Sequence, residues 1–80
     1  GERVCIANVE ESYYAIGNVC TYLGGPLNEG TLEGYDVECP WHGSKFDVRT
    51  GEPTKPPARQ AVPTYEVKVE DNNILVRKQQ

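Results

Sequence analysis

The sequence predicts an all-β, antiparallel fold, and three observations carry that prediction. Eight glycines and six prolines are spread through 80 residues, so few windows of a dozen residues escape a breaker and no helical period is sustained. Short runs rich in β-branched and aromatic residues recur between turn residues instead. The clearest, residues 65–70 and 74–77, alternate apolar and polar positions around Asp71-Asn72-Asn73 and read as a hairpin.

Taken in order, residues 4–9 read as a strand, 10–12 as a tight turn and 13–16 as the return strand, closed by Gly17-Asn18. A glycine-rich loop follows, carrying Gly24-Gly25-Pro26. Residues 36–38 and 45–48 form a second strand pair around the segment 39–44. Residues 53–63 hold four of the six prolines and read as a stiff surface loop. The last three residues, 78–80, read as frayed. Residues 1–80 are expected to form one domain, because a chain this short buries only about 60% of its unfolded surface. With 38% apolar residues, such a core needs a staple: disulfide, metal, cofactor or partner. No apolar run approaches the ~20 residues that span a bilayer, and no signal peptide is evident, so a soluble, cytoplasmic protein is expected.

The net charge of −4 is unevenly spread. Residues 1–38 carry seven acids against Arg3 alone, whereas 39–80 carry five acids and seven bases. Phosphate binding needs clustered Lys and Arg, so nucleic acid is excluded as the expected partner. The acidic half suits docking to a basic protein surface, and equally suits simple solubility.

Three cysteines, Cys5, Cys20 and Cys39, cannot all pair within the chain. An odd count fits a reduced compartment and a metal or cofactor site better than a disulfide framework. Cys39-Pro40-Trp41-His42 places a thiolate and the chain's single imidazole three positions apart, and Gly43 lets the backbone come close to whatever they hold. Cys20-Thr21-Tyr22 lies on the earlier glycine-rich loop, with sixteen residues between Tyr22 and Cys39. Mixed sulfur and nitrogen donors on two short loops point to zinc or iron–sulfur. A Cys39–His42 nucleophilic dyad lacks an orienting third group. Cys5, inside a strand by pattern, reads as a small buried hydrophobe.

At these residues the sequence resembles the Rieske-type ferredoxins. The resemblance rests on Cys20-Thr21-Tyr22-Leu23-Gly24-Gly25-Pro26-Leu27, then Cys39-Pro40-Trp41-His42-Gly43-Ser44, Phe46-Asp47 and Thr50-Gly51. It continues through Pro56-Pro57 and Val62-Pro63-Thr64-Tyr65 to the final hairpin, and so covers nearly the whole chain. It implies a Rieske-type β-sandwich or barrel with a small loop-built subdomain, its cluster loops near 18–27 and 39–46. It also implies a [2Fe–2S] cluster in which Cys20 and Cys39 hold one iron and His42 the other, where nitrogen ligation raises the potential.

The family places histidine where this chain has Tyr22, and its usual first strand is absent ahead of Gly1. Tyrosinate can ligate ferric iron, so three arrangements stay open: an altered cluster with Tyr22 or water as fourth ligand, a mononuclear site, or no metal. The membrane-bound members of the family have two further cysteines, forming a disulfide, at the positions of Gly25 and Trp41, so the likeness is to the soluble subclass. Ser44 reads either as a donor to a bridging sulfide or as a turn serine. Trp41 either shields the cluster or fills the small core, and Pro56-Pro57 either covers the cluster or serves as a rigid connector. Tyr13, Tyr14 and Phe46 read as core or sheet-surface residues.

The function implied is that of an electron-carrier component, not a catalyst alone. It passes single electrons from a flavin-dependent reductase to a terminal oxygenase of aromatic-ring hydroxylation, with His42 as the exit point. The rival is a cluster-free Rieske fold acting as a structural or interaction subunit, like the small subunit of some nitrite reductases.

Overall fold

A computed structural model describes residues 3–78. The first hairpin forms because β1 (Val4–Val9) and β2 (Ser12–Gly17) are joined by only two residues. Glu10 and Glu11 both take positive φ, 50° and 69°, the twist-matched geometry of a two-residue hairpin turn. The turn expected over 10–12 is thus shorter, and Ser12 belongs to β2, paired with Val9. The last hairpin is built the same way. Asp71 and Asn72, at φ 49° and 68°, join β7 (Thr64–Glu70) to β8 (Asn73–Lys78). The frayed tail expected at 78–80 begins with Lys78 still in β8 and otherwise lies outside the described residues.

Between these hairpins lie a single 3₁₀ turn (Leu27–Glu29) and four three-residue strands: β3 (Thr31–Glu33), β4 (Asp36–Glu38), β5 (Lys45–Asp47) and β6 (Pro53–Lys55). The strands make two four-stranded antiparallel sheets, ordered β1-β2-β7-β8 and β3-β4-β5-β6. The all-β antiparallel expectation holds; the arrangement is two sheets rather than a closed barrel.

Two strands were not foreseen. All three residues of β3 are exposed, so it lacks the apolar alternation that marks a half-buried strand. β6 begins at Pro53 inside the segment expected to be only a loop. Proline is tolerated there because β6 is an edge strand and Pro53 its first residue. β5 proves one residue shorter than expected: Val48 has left the ladder, yet it is buried and donates its N–H to the Tyr35 carbonyl at 2.8 Å.

Phe46, Ile16 and Leu27 are fully buried at the centre, with Val37, Val48, Ala58 and Val62 around them. Cys5 is buried in β1 with no disulfide, as its strand position implied, and burial pushes its thiol up. Phe46 is core, Tyr13 lies at the sheet surface, and Tyr14 meets Tyr35 edge-on at 6.0 Å.

A polar chain ties the β1–β2 turn to the second sheet. Arg49 donates two side-chain bonds to Asp47 (3.1 and 2.9 Å) and lies 3.9 Å over the Tyr35 ring, whose hydroxyl donates to Glu10 at 2.9 Å. The Arg49 hydrogen bonds hold the Asp47 carboxyl below its ordinary value, against the opposing effect of burial.

Two predictions follow from these turns and this chain. Left-handed backbone costs a non-glycine residue roughly 1–2 kcal/mol. Glu11→Gly should therefore raise stability by about 0.5–1 kcal/mol after the entropy of glycine is subtracted, seen as a few degrees in Tm by circular dichroism. Asp47 is acidic with a depressed folded value, so its contribution is present above the unfolded carboxylate range and is lost as pH falls through the folded value. The stability gap between the protein and Asp47→Asn should be constant near neutrality and close below about pH 4; urea titrations at stepped pH measure it.

Candidate metal centre

Three loops converge at one end of the fold, and each is fixed by its own backbone before any side chain is considered. In the first, Val19 bridges to Pro26, the Cys20 N–H donates to the Gly25 carbonyl (2.8 Å), and the Gly24 N–H returns to the Cys20 carbonyl (3.0 Å). Its base is held by Asn18, buried, which bonds the Asn28 side chain and backbone at 2.8 and 2.7 Å. The second loop is the tip of the β4–β5 hairpin. Glu38 pairs with Lys45 at its neck, the Cys39 N–H donates to the Ser44 carbonyl (2.7 Å), and Gly43, at φ 77°, closes the turn onto the Cys39 carbonyl (3.2 Å).

The third loop, from the proline-rich segment, is pinned to both others. Thr21 Oγ1 donates to the Gln60 carbonyl at 2.7 Å, and the Ala58 N–H donates to Ser44 Oγ at 3.0 Å. Pro56, Pro57, Ala58, Arg59 and Gln60 face Thr21 and Tyr22 across a groove of about 620 Å³. Pro56-Pro57 therefore flanks the first loop instead of acting as a remote connector.

The loops bring Cys20, Tyr22, Cys39 and His42 together as an inner sulfur pair and an outer ring pair. Cys20 and Cys39 are almost wholly buried and close enough that Cys39 acts on the Cys20 thiol. Tyr22 and His42 are exposed, their rings edge-to-face with centroids 5.4 Å apart. Among the described residues no three His, Cys, Asp or Glu side chains close on a single ion-sized point.

Burial pushes the Cys20 thiol up, and the neighbouring Cys39 adds to that; the Tyr22 N–H, 3.4 Å from Sγ, and the Ser44 hydroxyl pull the other way. A thiol crowded out of water, as Cys20 is, resists ionising until a cation compensates it, and metal ligation would then release its proton.

Ser44 is fully buried, accepts the Ala58 N–H and lies near enough to Cys20 to act on its thiol. Trp41 is 57% exposed, which overturns the core-filling reading: the indole stands at the loop tip. A Cβ placed on Gly25 would lie 3.2 Å from Trp41 and 2.5 Å from Cys39 Sγ, so positions 25 and 41 are neighbours and the first loop leaves no room for a side chain there. Val19 and Leu23, the latter 66% exposed, join Trp41 and Tyr22 in an apolar rim on the two loops. Sequence reading missed this rim, because loop apolar residues carry no periodicity to mark them. The Gln60 and Ala58 backbone contacts were equally invisible, since backbone groups leave no trace in residue type.

Two sulfurs buried behind exposed rings, on loops braced by a third, define a metal-cluster domain of the electron-carrier class. The comparisons with known proteins agree with that geometry. Residues 1–66 match the Rieske [2Fe–2S] domain, and the chain belongs to that family. It is 37% identical over 76 residues to the ferredoxin component of the naphthalene 1,2-dioxygenase system of Pseudomonas putida, covering 95% of this chain and 73% of that protein. Among solved structures, it superimposes on the ferredoxin of carbazole 1,9a-dioxygenase from Nocardioides aromaticivorans IC177 with a TM-score of 0.93 at 37% identity, covering 99% and 78% of the two chains. A chain in the complex of reduced oxygenase and oxidized ferredoxin in carbazole 1,9a-dioxygenase matches at TM-score 0.90 and 31% identity, over 98% of this chain and 82% of that one.

The residues present fit a two-iron, two-sulfide cluster in three of its four positions. Cys20 and Cys39 would supply the paired sulfurs and His42 one nitrogen, with the Tyr22 ring beside that of His42.

Ser44→Ala tests the brace. It leaves the buried Ala58 N–H without its acceptor, a loss of about 1–3 kcal/mol, which chemical denaturation of the cluster-free protein should register as a lower midpoint at unchanged slope.

Proposed function

We propose that this chain is a single-domain cytoplasmic electron carrier of the ferredoxin kind. It takes one electron from a flavin-dependent reductase and delivers it to a terminal oxygenase of aromatic-ring oxidation. The observation that carries the proposal is the pairing of a buried Cys20–Cys39 sulfur couple with an exposed His42 at the same tip. Cys20, Cys39 and His42 hold the Rieske-type [2Fe–2S] cluster, which supplies a one-electron couple at a potential raised by nitrogen ligation.

The chain's own residues do the rest. The necks of the two loops fix the donor spacing through backbone bonds rather than side-chain packing. The Tyr22 N–H donates to the Cys20 sulfur and the Ser44 hydroxyl lies near it, both of which favour the reduced, more negative state. Pro56-Pro57 and Trp41 flank the site and limit the entry of water. The apolar rim of Val19, Tyr22, Leu23 and Trp41 lies on the same two loops as His42 and forms the docking face, which brings the partner's acceptor to the exposed imidazole. The reading as a cluster-free interaction subunit is not favoured, since the relatives above are ferredoxin components.

The test is reconstitution of the purified chain with iron and sulfide under reducing conditions. Two irons and two acid-labile sulfides per chain, with a visible spectrum bleached by a single electron, are expected. A chain that stays colourless and takes up no sulfide would end the electron-carrier reading.

A further inference from the structure

The sheet that carries the Cys39 loop is electrically lopsided, and the charge changes sign from one edge to the other. In the order β3-β4-β5-β6, β3 and β6 are the opposite edges. Residues 29–38, which lead into and form β3 and β4, hold Glu29, Glu33, Asp36 and Glu38 and no cation. Residues 53–63, which form β6 and the third loop, hold Lys55 and Arg59 and no acid. Four other cations are neutralised within the chain: Lys45 by Glu33, Arg49 by Asp47, Lys68 by Glu70 and Arg77 by Glu66. Lys55 and Arg59 are exposed and meet no carboxylate among the described residues. Glu38 accepts no hydrogen bond there either, and its Oε2 lies 3.5 Å from where a Cβ on Gly43 would stand, beside His42 in the chain.

The Arg59 end of this gradient is a shaped site, the groove between the first and third loops. Pro56 and Pro57 have no N–H, the Ala58 N–H is bound to Ser44 Oγ, and the Thr21 hydroxyl is bound to the Gln60 carbonyl. Arg59, the Gln60 amide and the Tyr22 hydroxyl are the side-chain donors left to it among the described residues, against an apolar wall of proline, alanine and the tyrosine ring. A guanidinium fork beside an apolar wall fits a carboxylate on a protein side chain.

We propose that the docking face is bipolar: Arg59 seats a carboxylate of the partner oxygenase in this groove, while Glu38 on the second loop faces a cation of the same partner. This rests on the electron-carrier reading and specifies the chemistry of its partner. An apolar rim alone leaves the partner free to turn about the tip. Two unlike charges on different loops fix that rotation, since turning the partner by half a revolution sets like charges together.

The experiment passes the reconstituted chain, its iron and sulfide content measured first, over immobilised oxygenase components of the naphthalene 1,2-dioxygenase and carbazole 1,9a-dioxygenase systems. Surface plasmon resonance reads the dissociation constant on whichever binds. Arg59→Gln and Glu38→Gln are compared with Lys68→Gln, which lies on β7 outside the rim and the groove, each checked for an unchanged midpoint potential. Arg59→Gln and Lys68→Gln make the chain more acidic by the same single charge, and Glu38→Gln makes it less acidic. A bipolar face predicts that Arg59→Gln and Glu38→Gln both weaken binding, by about two- to fivefold, and that the losses fade at high salt. Lys68→Gln should bind as the parent does. If an acidic carrier is simply drawn to a basic partner, Glu38→Gln weakens binding while Arg59→Gln does not, and the proposal falls. Weakening by Arg59→Gln alone, equal affinity of all four proteins, or a loss in Lys68→Gln as large as in Arg59→Gln also overturns it. A cluster-bearing chain that binds neither oxygenase overturns the bipolar face and leaves the carrier reading standing. A chain that takes up no iron or sulfide ends that reading and this proposal with it.

Discussion

The Ser44 hydroxyl is the point through which all three loops are joined. It lies on the second loop, accepts the Ala58 N–H from the third, and sits close to the Cys20 thiol of the first. A fully buried hydroxyl must have its bonding capacity met, so the side chain cannot move away from Ala58 without leaving a buried group unmet. The spacing of the two sulfurs therefore depends on a residue that need not touch metal at all. Around that point most of the other restraints are backbone to backbone, Cys20 to Gly25, Cys39 to Ser44 and Gly43 to Cys39, with Thr21 and Asn18 adding side-chain bonds to Gln60 and Asn28. Backbone restraints are insensitive to side-chain identity, which leaves the tip residues Leu23 and Trp41 free to vary with the partner they meet.

The two sheets contribute unequally to this arrangement. The longer strands, β1, β2, β7 and β8, make a frame whose hairpin turns are two residues each. The second sheet consists of four three-residue strands, too short to persist alone, and is held by Phe46, Val37 and Val48 against the shared core and by the Asp47–Arg49–Tyr35–Glu10 chain. The Cys39 loop grows from the weaker sheet, whereas the Cys20 loop follows β2 of the stronger one, and Gly17 at the end of β2 ties the third loop's segment to it by donating its N–H to the Pro63 carbonyl at 2.8 Å.

How much of this was legible in the sequence depends on what kind of force shaped each part. The outer hairpins were readable because alternation and turn residues act over a few positions. The cysteines and His42 were readable because few residue types can hold a metal. β3 and β6 were not, since their pairing is set by neighbours in the sheet and their residues carry neither alternation nor β-branched density. The exposed place of Trp41 was misjudged in one of its two readings because a lone tryptophan in a small protein is by default counted toward the core, whereas the loop tip leaves it 57% exposed. The edge-to-face meeting of Tyr22 and His42 joins residues twenty positions apart, a distance at which sequence offers no rule.

The second loop is not an appendage to the β-structure but the continuation of β4 and β5 past their last pair, Glu38 and Lys45. Donors mounted on a strand pair inherit its stiffness. A centre that gains or loses an electron is slowed by whatever nuclei must relocate to suit the new charge, and a preorganised frame keeps that relocation small. For a carrier of this design, the pace of exchange is then governed less by the internal rearrangement of the protein than by how long it stays in register with the molecule it meets.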